Sequence, residues 1–376
     1  MLLSRRQALG GVGATVAAPY VARANYQVSP YSHRQYSKRA VDLVRRSIII
    51  DMLGPIKIDF EPEFYTKPLS DQAVADFRAS GITAFHHAVG LGGPQARDQA
   101  LSFFAIWGNF VARNSHVLTG VDKFADIVRA KRDGKCAIIM GLQNAEHFQK
   151  VADVKEFYQI GQRCAQLTYN SQNRIGSGST DRVDGGVSDY GESIIKAMND
   201  VGMLIDVSHS GDRTTLDAIA LSPKPIAITH SNCRALLDHP RVKTDEAIKA
   251  LGAKGGVMGI TGVRNFVSKT DPTTIVNIVD HIDHVVKVAG IDHVGIGTDS
   301  DLYGYDDTSP AMNKMLRGAY KDSYAFREKI DVDGFDHPLK MYDLTEELIR
   351  RNYSDANIEA VLGGNFRRLL TSTWGG

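Results

Sequence analysis

Residues 203–210 read MLIDVSHS. Met203, Leu204, Ile205 and Val207 make an apolar run of strand length, and the run gives out in Ser208 and His209. A short, near-continuous Ile/Leu/Val run suits a strand covered on both faces. Seven further runs share this character: SIIIDM (47–52), GITAFHHAV (81–89), CAIIMGL (136–142), AQLTY (165–169), PIAITH (225–230), GVMGIT (256–261) and HVGIGTD (293–299). Helix patterns such as YGESIIKAMNDVG, TDEAIKALGAKG and TTIVNIVDHIDHVVKVAG separate most of them, and several end in glycine, a common helix stop. Eight strands alternating with helices predict an α/β fold, a (β/α)₈ barrel of the TIM type. A doubly wound open sheet is the competing arrangement. No G-x-G-x-x-G follows the first strand and no Walker loop occurs, so nothing supports its nucleotide-binding form.

The chain has 376 residues, 43% of them hydrophobic, with a formal net charge of +1. It can build a large core, and α/β barrels of this length form single domains. The balanced charge gives no reason to expect a nucleic acid as partner. Cys136, Cys164 and Cys233 are odd in number and widely spaced, so neither a disulfide framework nor a cysteine zinc knuckle can be read from them. At the start, Arg5-Arg6, a weakly apolar Gly/Ala-rich run and Ala22-Arg23-Ala24 resemble a twin-arginine export signal over residues 1–24. The expectation is export to the periplasm or beyond, leaving residues 25–376 as one barrel domain. No segment reads as a membrane span. Two long loops, 171–191 and 301–340, follow strands and are therefore expected on the catalytic face, where they would shape a pocket and sense the substrate.

In a parallel barrel the strand C-termini converge on one mouth. The third run leads to Gln143 and Asn144, the fourth to Tyr169 and Asn170, the fifth to His209, the sixth to His230 and the eighth to Asp299. Two histidines on adjacent strand ends can point at one ion, and neutral imidazoles are good zinc ligands. An aspartate on the last strand can take a proton from water made acidic by that ion. The bland alternative for each histidine is a hydrogen-bonded core residue. Asp206, opposite in parity to His209, reads as structural. His86 and His87 are adjacent, so alternation lets only one face the interior. Either could replace a missing ligand, but packing in the core is the reading preferred for both, and the same holds for Glu146 and His147.

Five stretches give the chain a resemblance to the membrane dipeptidase (renal dipeptidase) family of the amidohydrolase superfamily. They are QLTYNSQNRIGSG, GGVSDYGESIIKAMNDVGMLIDVSHSG, SPKPIAITHSNCRALLDHPRVKTDEAI, HIDHVVKVAGIDHVGIGTDSD and RRNYSDANIEAVLGGNFRRLL. The resemblance covers roughly residues 40–370. It implies a distorted (β/α)₈ barrel of the metallo-dependent hydrolase type, a zinc-dependent site at the strand C-termini and hydrolysis of dipeptides. It matches His209 and His230 to the histidines that hold one zinc, Asp299 to the aspartate that handles the proton of water, and Arg241 to the arginine that grips a substrate carboxylate. Read without it, Arg241 would be a solvated loop residue. The guanidinium fork suits a carboxylate. The resemblance also allows a homodimer.

The departures are as informative. The family ends its first strand in Asp-x-His-x-Asp; here Asp51 is kept, but Leu53 and Pro55 stand at the two ligand positions. The glutamate that bridges two zincs is Gln143, and a histidine that polarises the substrate is Tyr169. A phenol can still donate to a developing oxyanion, with Asn170 beside it to orient the carbonyl. Two dications beside Asp299 alone would be poorly compensated. The expectation is therefore at most one tightly held metal, zinc or another divalent ion, on His209 and His230, completed by Gln143 or Asp299 and a water. The substrate would be a small molecule with a free carboxylate, a dipeptide or related amide. An ester, lactone or cyclic amide would suit the same chemistry. A non-catalytic binding barrel that kept Arg241 is the other reading, and a metal-dependent lyase or epimerase has no positive support in the sequence.

Overall fold

Ile49–Asp51 forms the first barrel strand, β1, and its partners follow in chain order around a closed ring. These are β2 (Ile82–Val89), β3 (Cys136–Leu142), β4 (Cys164–Gln166), β5 (Leu204–Asp206), β6 (Ala227–Ser231), β7 (Val257–Ile260) and β8 (Val294–Ile296). All pair in parallel, and Ile296 opposite Asp51 closes β8 onto β1. A short strand, Leu118–Gly120, adds to the beginning of β3. The computed structural model describes residues 25–27, 35–58, 62–318 and 320–374. The export signal expected over residues 1–24 lies outside them.

The expected (β/α)₈ barrel is the observed one. Several strands are shorter than their apolar runs: β4 stops at Gln166 and β5 at Asp206. Leu167–Tyr169 and Val207–His209 thus lie beyond the ladder, where the backbone can turn side chains into the mouth.

Alternation sorts each strand between two cores. Ile50, Ala84, Ile139 and Leu204 pack inside the barrel with Phe366, Leu369 and Trp374 of the last helix, Asn365–Trp374, which plugs the bottom. Ile49, Phe85, Ile138 and Ile205 face outward to the surrounding helices. The next inward positions up the neighbouring strands, His86, Gln166, Asp206 and Thr229, are polar yet buried, and Asp51 at the end of β1 is buried as well. Among the described residues no helix is long and apolar enough to cross a membrane.

Candidate metal centre and cavity

Asp206 ends β5 and accepts four hydrogen bonds. Its Oδ1 takes the Ser208 N–H at 2.9 Å, the Ser208 hydroxyl at 2.6 Å and the Thr229 N–H at 3.0 Å; its Oδ2 takes the Thr229 hydroxyl at 2.6 Å. This carboxylate ties the end of β5 to β6. Its structural reading is also its observed placement, and hydroxyls and amides rather than a cation satisfy it. The residues that follow each anchor, His209 after Ser208 and His230 after Thr229, are thereby aimed at one another.

The two rings meet through Nε2 atoms 3.0 Å apart. His209 Nδ1 lies 2.6 Å from Asn170 Oδ1. An amide oxygen only accepts, so Nδ1 carries the proton. His230 Nδ1 lies 2.8 Å from Thr229 Oγ1. That hydroxyl already gives its proton to Asp206, so it accepts here, and His230 is also protonated at Nδ1. Both Nε2 atoms therefore present lone pairs to the same point. Burial and the nearby Arg241 charge hold both imidazoles well below the usual histidine range, so neither becomes a cation at neutral pH. Two facing lone pairs repel unless a positive centre lies between them. Zinc–nitrogen bonds of about 2.0–2.1 Å in tetrahedral geometry bring ligand nitrogens to a comparable spacing, about 3.3 Å. The donor chemistry fits a divalent metal, with acceptor-bound Nδ1 atoms as its outer support.

Among the described residues no third His, Cys, Asp or Glu joins the pair to make a group that could hold a metal ion. Gln143, Tyr169, His209 and Asp299 line one cavity of about 820 Å³ at the mouth. The Gln143 amide N–H donates to the Ala88 carbonyl at 3.1 Å, which leaves its Oε1 for a ligand. Tyr169 stacks on His209, centroids 4.2 Å apart, and its hydroxyl pairs with that of Tyr320 at 2.6 Å. Asp299 and Asn170 both have left-handed backbones, φ 57° and 58°, a conformation that Asp and Asn tolerate better than most residues. Burial raises the Asp299 carboxyl to about 7, against the opposing pull of Arg241.

Arg241 is buried and does not line the cavity. Its guanidinium donates to the Ser208 carbonyl, lies 5.2 Å from the Phe266 ring centre and faces the Tyr324 phenol; its Nε has no hydrogen-bond partner. No carboxylate pairs with it among the described residues. Asn170 also stands away from the cavity wall, with its amide engaged by His209. The loop 171–191 behaves likewise. It does not line the cavity, contrary to expectation, but braces the histidine: the Ser179 N–H donates to the His209 carbonyl at 2.8 Å, and Gly178 packs so tightly on Asn170 that a Cβ would sit 2.1 Å from its carbonyl carbon. The 301–340 segment does shape the cavity, through residues such as Tyr305, Tyr320, Tyr324 and Phe326.

His86 turns inward and its Nδ1 donates to the Met52 carbonyl at 2.7 Å, while His87 turns outward against Trp107 and Phe103. The His87 Nδ1 accepts from the Ile56 N–H, and burial drops the ring to about 3. His147 is held between the Asn144 carbonyl and the Gln162 side chain. None of the three joins the His209–His230 pair. Sequence reasoning had no specific signal for Trp107, Phe103 or Phe266 as cavity walls, since each reads as an ordinary core aromatic.

The family model described as membrane dipeptidase (peptidase family M19) matches residues 37–314. The chain belongs to the membrane dipeptidase family. An amidohydrolase from Pseudomonas aeruginosa has the same fold, with a TM-score of 0.77 and 30% identity over 90% of this chain and 99% of that one. Dipeptidase verJ of Clonostachys rogersoniana is 31% identical over 244 residues, 64% of this chain and 56% of that protein. An uncharacterized dipeptidase of Schizosaccharomyces pombe is 34% identical over 199 residues, 51% of this chain and 48% of that protein. This membrane dipeptidase family member thus spans about half the length of the curated relatives it matches.

Proposed function

We propose that the chain is a metal-dependent hydrolase of the dipeptidase type, cleaving a dipeptide or related small amide with one zinc or similar divalent ion. The observation that carries this reading is the convergence of two unprotonated Nε2 atoms, each fixed by an acceptor at its own Nδ1. The names of the relatives support the substrate class.

His209 and His230 would hold the ion, with Gln143 Oε1 and solvent completing its shell. An ion there supplies Lewis acidity toward water and an amide carbonyl. Asp299 removes the proton from the attacking water and returns it to the leaving nitrogen, a task that suits a carboxyl lying near neutrality. The Tyr169 phenol, which holds its proton well above the usual range, donates to the carbonyl oxygen as charge develops. Arg241 receives the substrate carboxylate once Tyr324 gives way. Asn170 contributes by orienting His209 rather than by touching the substrate.

The test is turnover of a panel of L- and D-dipeptides by the zinc-loaded protein, with bound metal measured on the same sample. The reading requires about one equivalent of metal and hydrolysis that His209→Ala abolishes. Full activity in His209→Ala, or two tightly bound equivalents, would overturn it. A metal-free barrel that only binds small molecules is the second reading, favoured by the absence, among the described residues, of a third His, Cys, Asp or Glu beside the pair. Dipeptide binding without turnover across several divalent ions would establish it. Export through the twin-arginine route is proposed from Arg5-Arg6 and Ala22-Arg23-Ala24, and a homodimer from the family resemblance. Fractionation of cells carrying Arg5→Lys/Arg6→Lys tests the first, and light scattering tests the second.

A further inference from the structure

The cavity that meets His209 is far more apolar than recognition of a free dipeptide requires. Its volume of about 820 Å³ lies toward the upper end of the roughly 300–1,000 Å³ range of small-molecule sites. The segments after β1 and β2 contribute the apolar Pro55, Ile58, Phe103, Ile106 and Trp107. Gln95, Asp98, Gln99 and Ser102 line it toward the start of the helix Ala96–Arg113. A second part of the lining is the aromatic cluster of Phe266, Tyr320, Tyr324 and Phe326, which meets Tyr169 through Tyr320.

A dipeptide brings two charged ends, and Arg241 can take only the carboxylate. The ammonium would need a carboxylate of its own, because a charge moved out of water is expensive unless it is paired. Two carboxylates line the cavity among the described residues, Asp98 and Asp299. Asp98 sits exposed in the first turn of the helix Ala96–Arg113, at the rim. Asp299 already shares its field with Arg241 and serves as the base. Apart from Asp98 at the rim, the described residues that the helix Ala96–Arg113 contributes to the lining include no acidic side chain.

We propose that the preferred substrate has no free α-ammonium: it is an N-acyl amino acid whose acyl group, aromatic or long aliphatic, fills the space between Trp107 and the tyrosine layer. The inference rests on the amide-hydrolase reading above and names its substrate class. Water attacks the acyl carbon and the C–N bond breaks. The acyl group leaves as a carboxylic acid, and the proton passes to the nitrogen of the released amino acid. No co-reactant other than water is needed.

A matched pair of compounds tests it. Phe-Ala and 3-phenylpropanoyl-alanine differ only in the α-amino group, and each is used with L- and with D-alanine. In the zinc-loaded protein the acyl compound is expected to show at least a tenfold higher kcat/KM. Equal or faster cleavage of Phe-Ala overturns the proposal and leaves the hydrolase reading intact. If neither compound nor any dipeptide of the panel is cleaved although metal is bound, the hydrolase reading fails, and binding decides the cavity assignment separately. Trp107 lines the cavity while Trp374, the other tryptophan, lies at the barrel floor. Quenching of tryptophan fluorescence in metal-free protein should therefore give at least tenfold tighter binding of 3-phenylpropanoyl-alanine than of Phe-Ala. Trp107→Phe should remove the signal, and equal affinities overturn the assignment. Ile106 is partly exposed on the same wall, so Ile106→Asp keeps the fold and should reduce the preference severalfold by giving the ammonium a partner. An unchanged ratio counts against the proposal.

Discussion

The two sides of the barrel mouth are built on the same clamp and end differently. At β5–β6, Asp206 accepts the N–H and hydroxyl of Thr229 and the N–H of Ser208. At β1–β8, Asp51 accepts the N–H and hydroxyl of Thr298, at 2.8 and 2.7 Å, and the N–H of Leu53 at 3.3 Å. Each carboxylate binds the residue two positions on and a threonine of the neighbouring strand segment. The next residues differ. After Ser208 and Thr229 come His209 and His230; after Leu53 and Thr298 come Gly54 and Asp299. A Cβ at Gly54 would sit 2.8 Å from Asp51 Oδ2 and Phe85, so that turn has no room for a larger side chain. One clamp thus aims two imidazoles at each other, and the other is followed by a single carboxylate that lines the cavity. The comparison teaches that the buried aspartates set direction, while the residues beyond them set chemistry.

The largest effect should come from breaking the ligand pair. His230→Ala is expected to remove bound metal and lower turnover by at least about a thousandfold, read by metal analysis and steady-state kinetics; retained metal would dissolve the contrast between the two sides. Next, the poor side can be rebuilt. Leu53→His with Pro55→Asp and Gln143→Glu should raise the metal-to-protein ratio from one towards two, and an unchanged ratio would mean that side-chain identity is not what separates the halves.

A matched pair of substitutions separates clamp from ligand. Thr229→Val and Thr298→Val each deprive a buried carboxylate of a hydroxyl donor, so each should lose about 1–3 kcal/mol in urea unfolding. Thr229→Val should also weaken metal binding by about 10–100-fold, because it releases His230 Nδ1, whereas Thr298→Val should leave metal affinity nearly unchanged. Equal effects on metal binding would show that the clamps are not specialised.

The smallest effect is in pH. Burial raises the Asp299 carboxyl in the folded protein from the ordinary 3.8 to about 7, so its protonated form is favoured by folding. That contribution is complete below about pH 4, is lost progressively as pH rises to about 7 and stays lost above. Metal-free Asp299→Asn should therefore gain stability relative to the parent across that interval and hold a constant advantage beyond it, as thermal unfolding at several pH values would record.

The alternating pattern already carried the barrel, because strands buried on both faces must be almost continuously apolar. His209 and His230 were legible for a related reason: a histidine at the end of such a run, past the ladder for His209 and in its last residues for His230, stands at the mouth end of its strand. Asn170 was not legible in its place. As a strand-end amide it reads as a substrate contact, yet its oxygen is taken by His209 Nδ1. The loop 171–191 was misread in the same way, since polarity and glycine content do not reveal what a loop packs against. Trp107, Phe103 and Phe266 look like core residues in the sequence, and only the space between them makes them a cavity.

The sequence by itself determined the order of strands and helices and the imidazole pair, because these follow from residue type and local period; the replacement of ligands at Leu53, Pro55 and Gln143 is what the family resemblance implies. Only the tertiary structure decided which nitrogen of each histidine is free, that Arg241 is buried against Phe266 and Tyr324 rather than on the cavity wall, and that Trp107, Phe103 and Phe266 line a cavity. Those properties depend on partners distant in the chain, such as His209 with Asn170, Tyr169 with Tyr320 and Asp51 with Thr298, and hydrogen-bond direction and desolvation exist only once such partners are brought together.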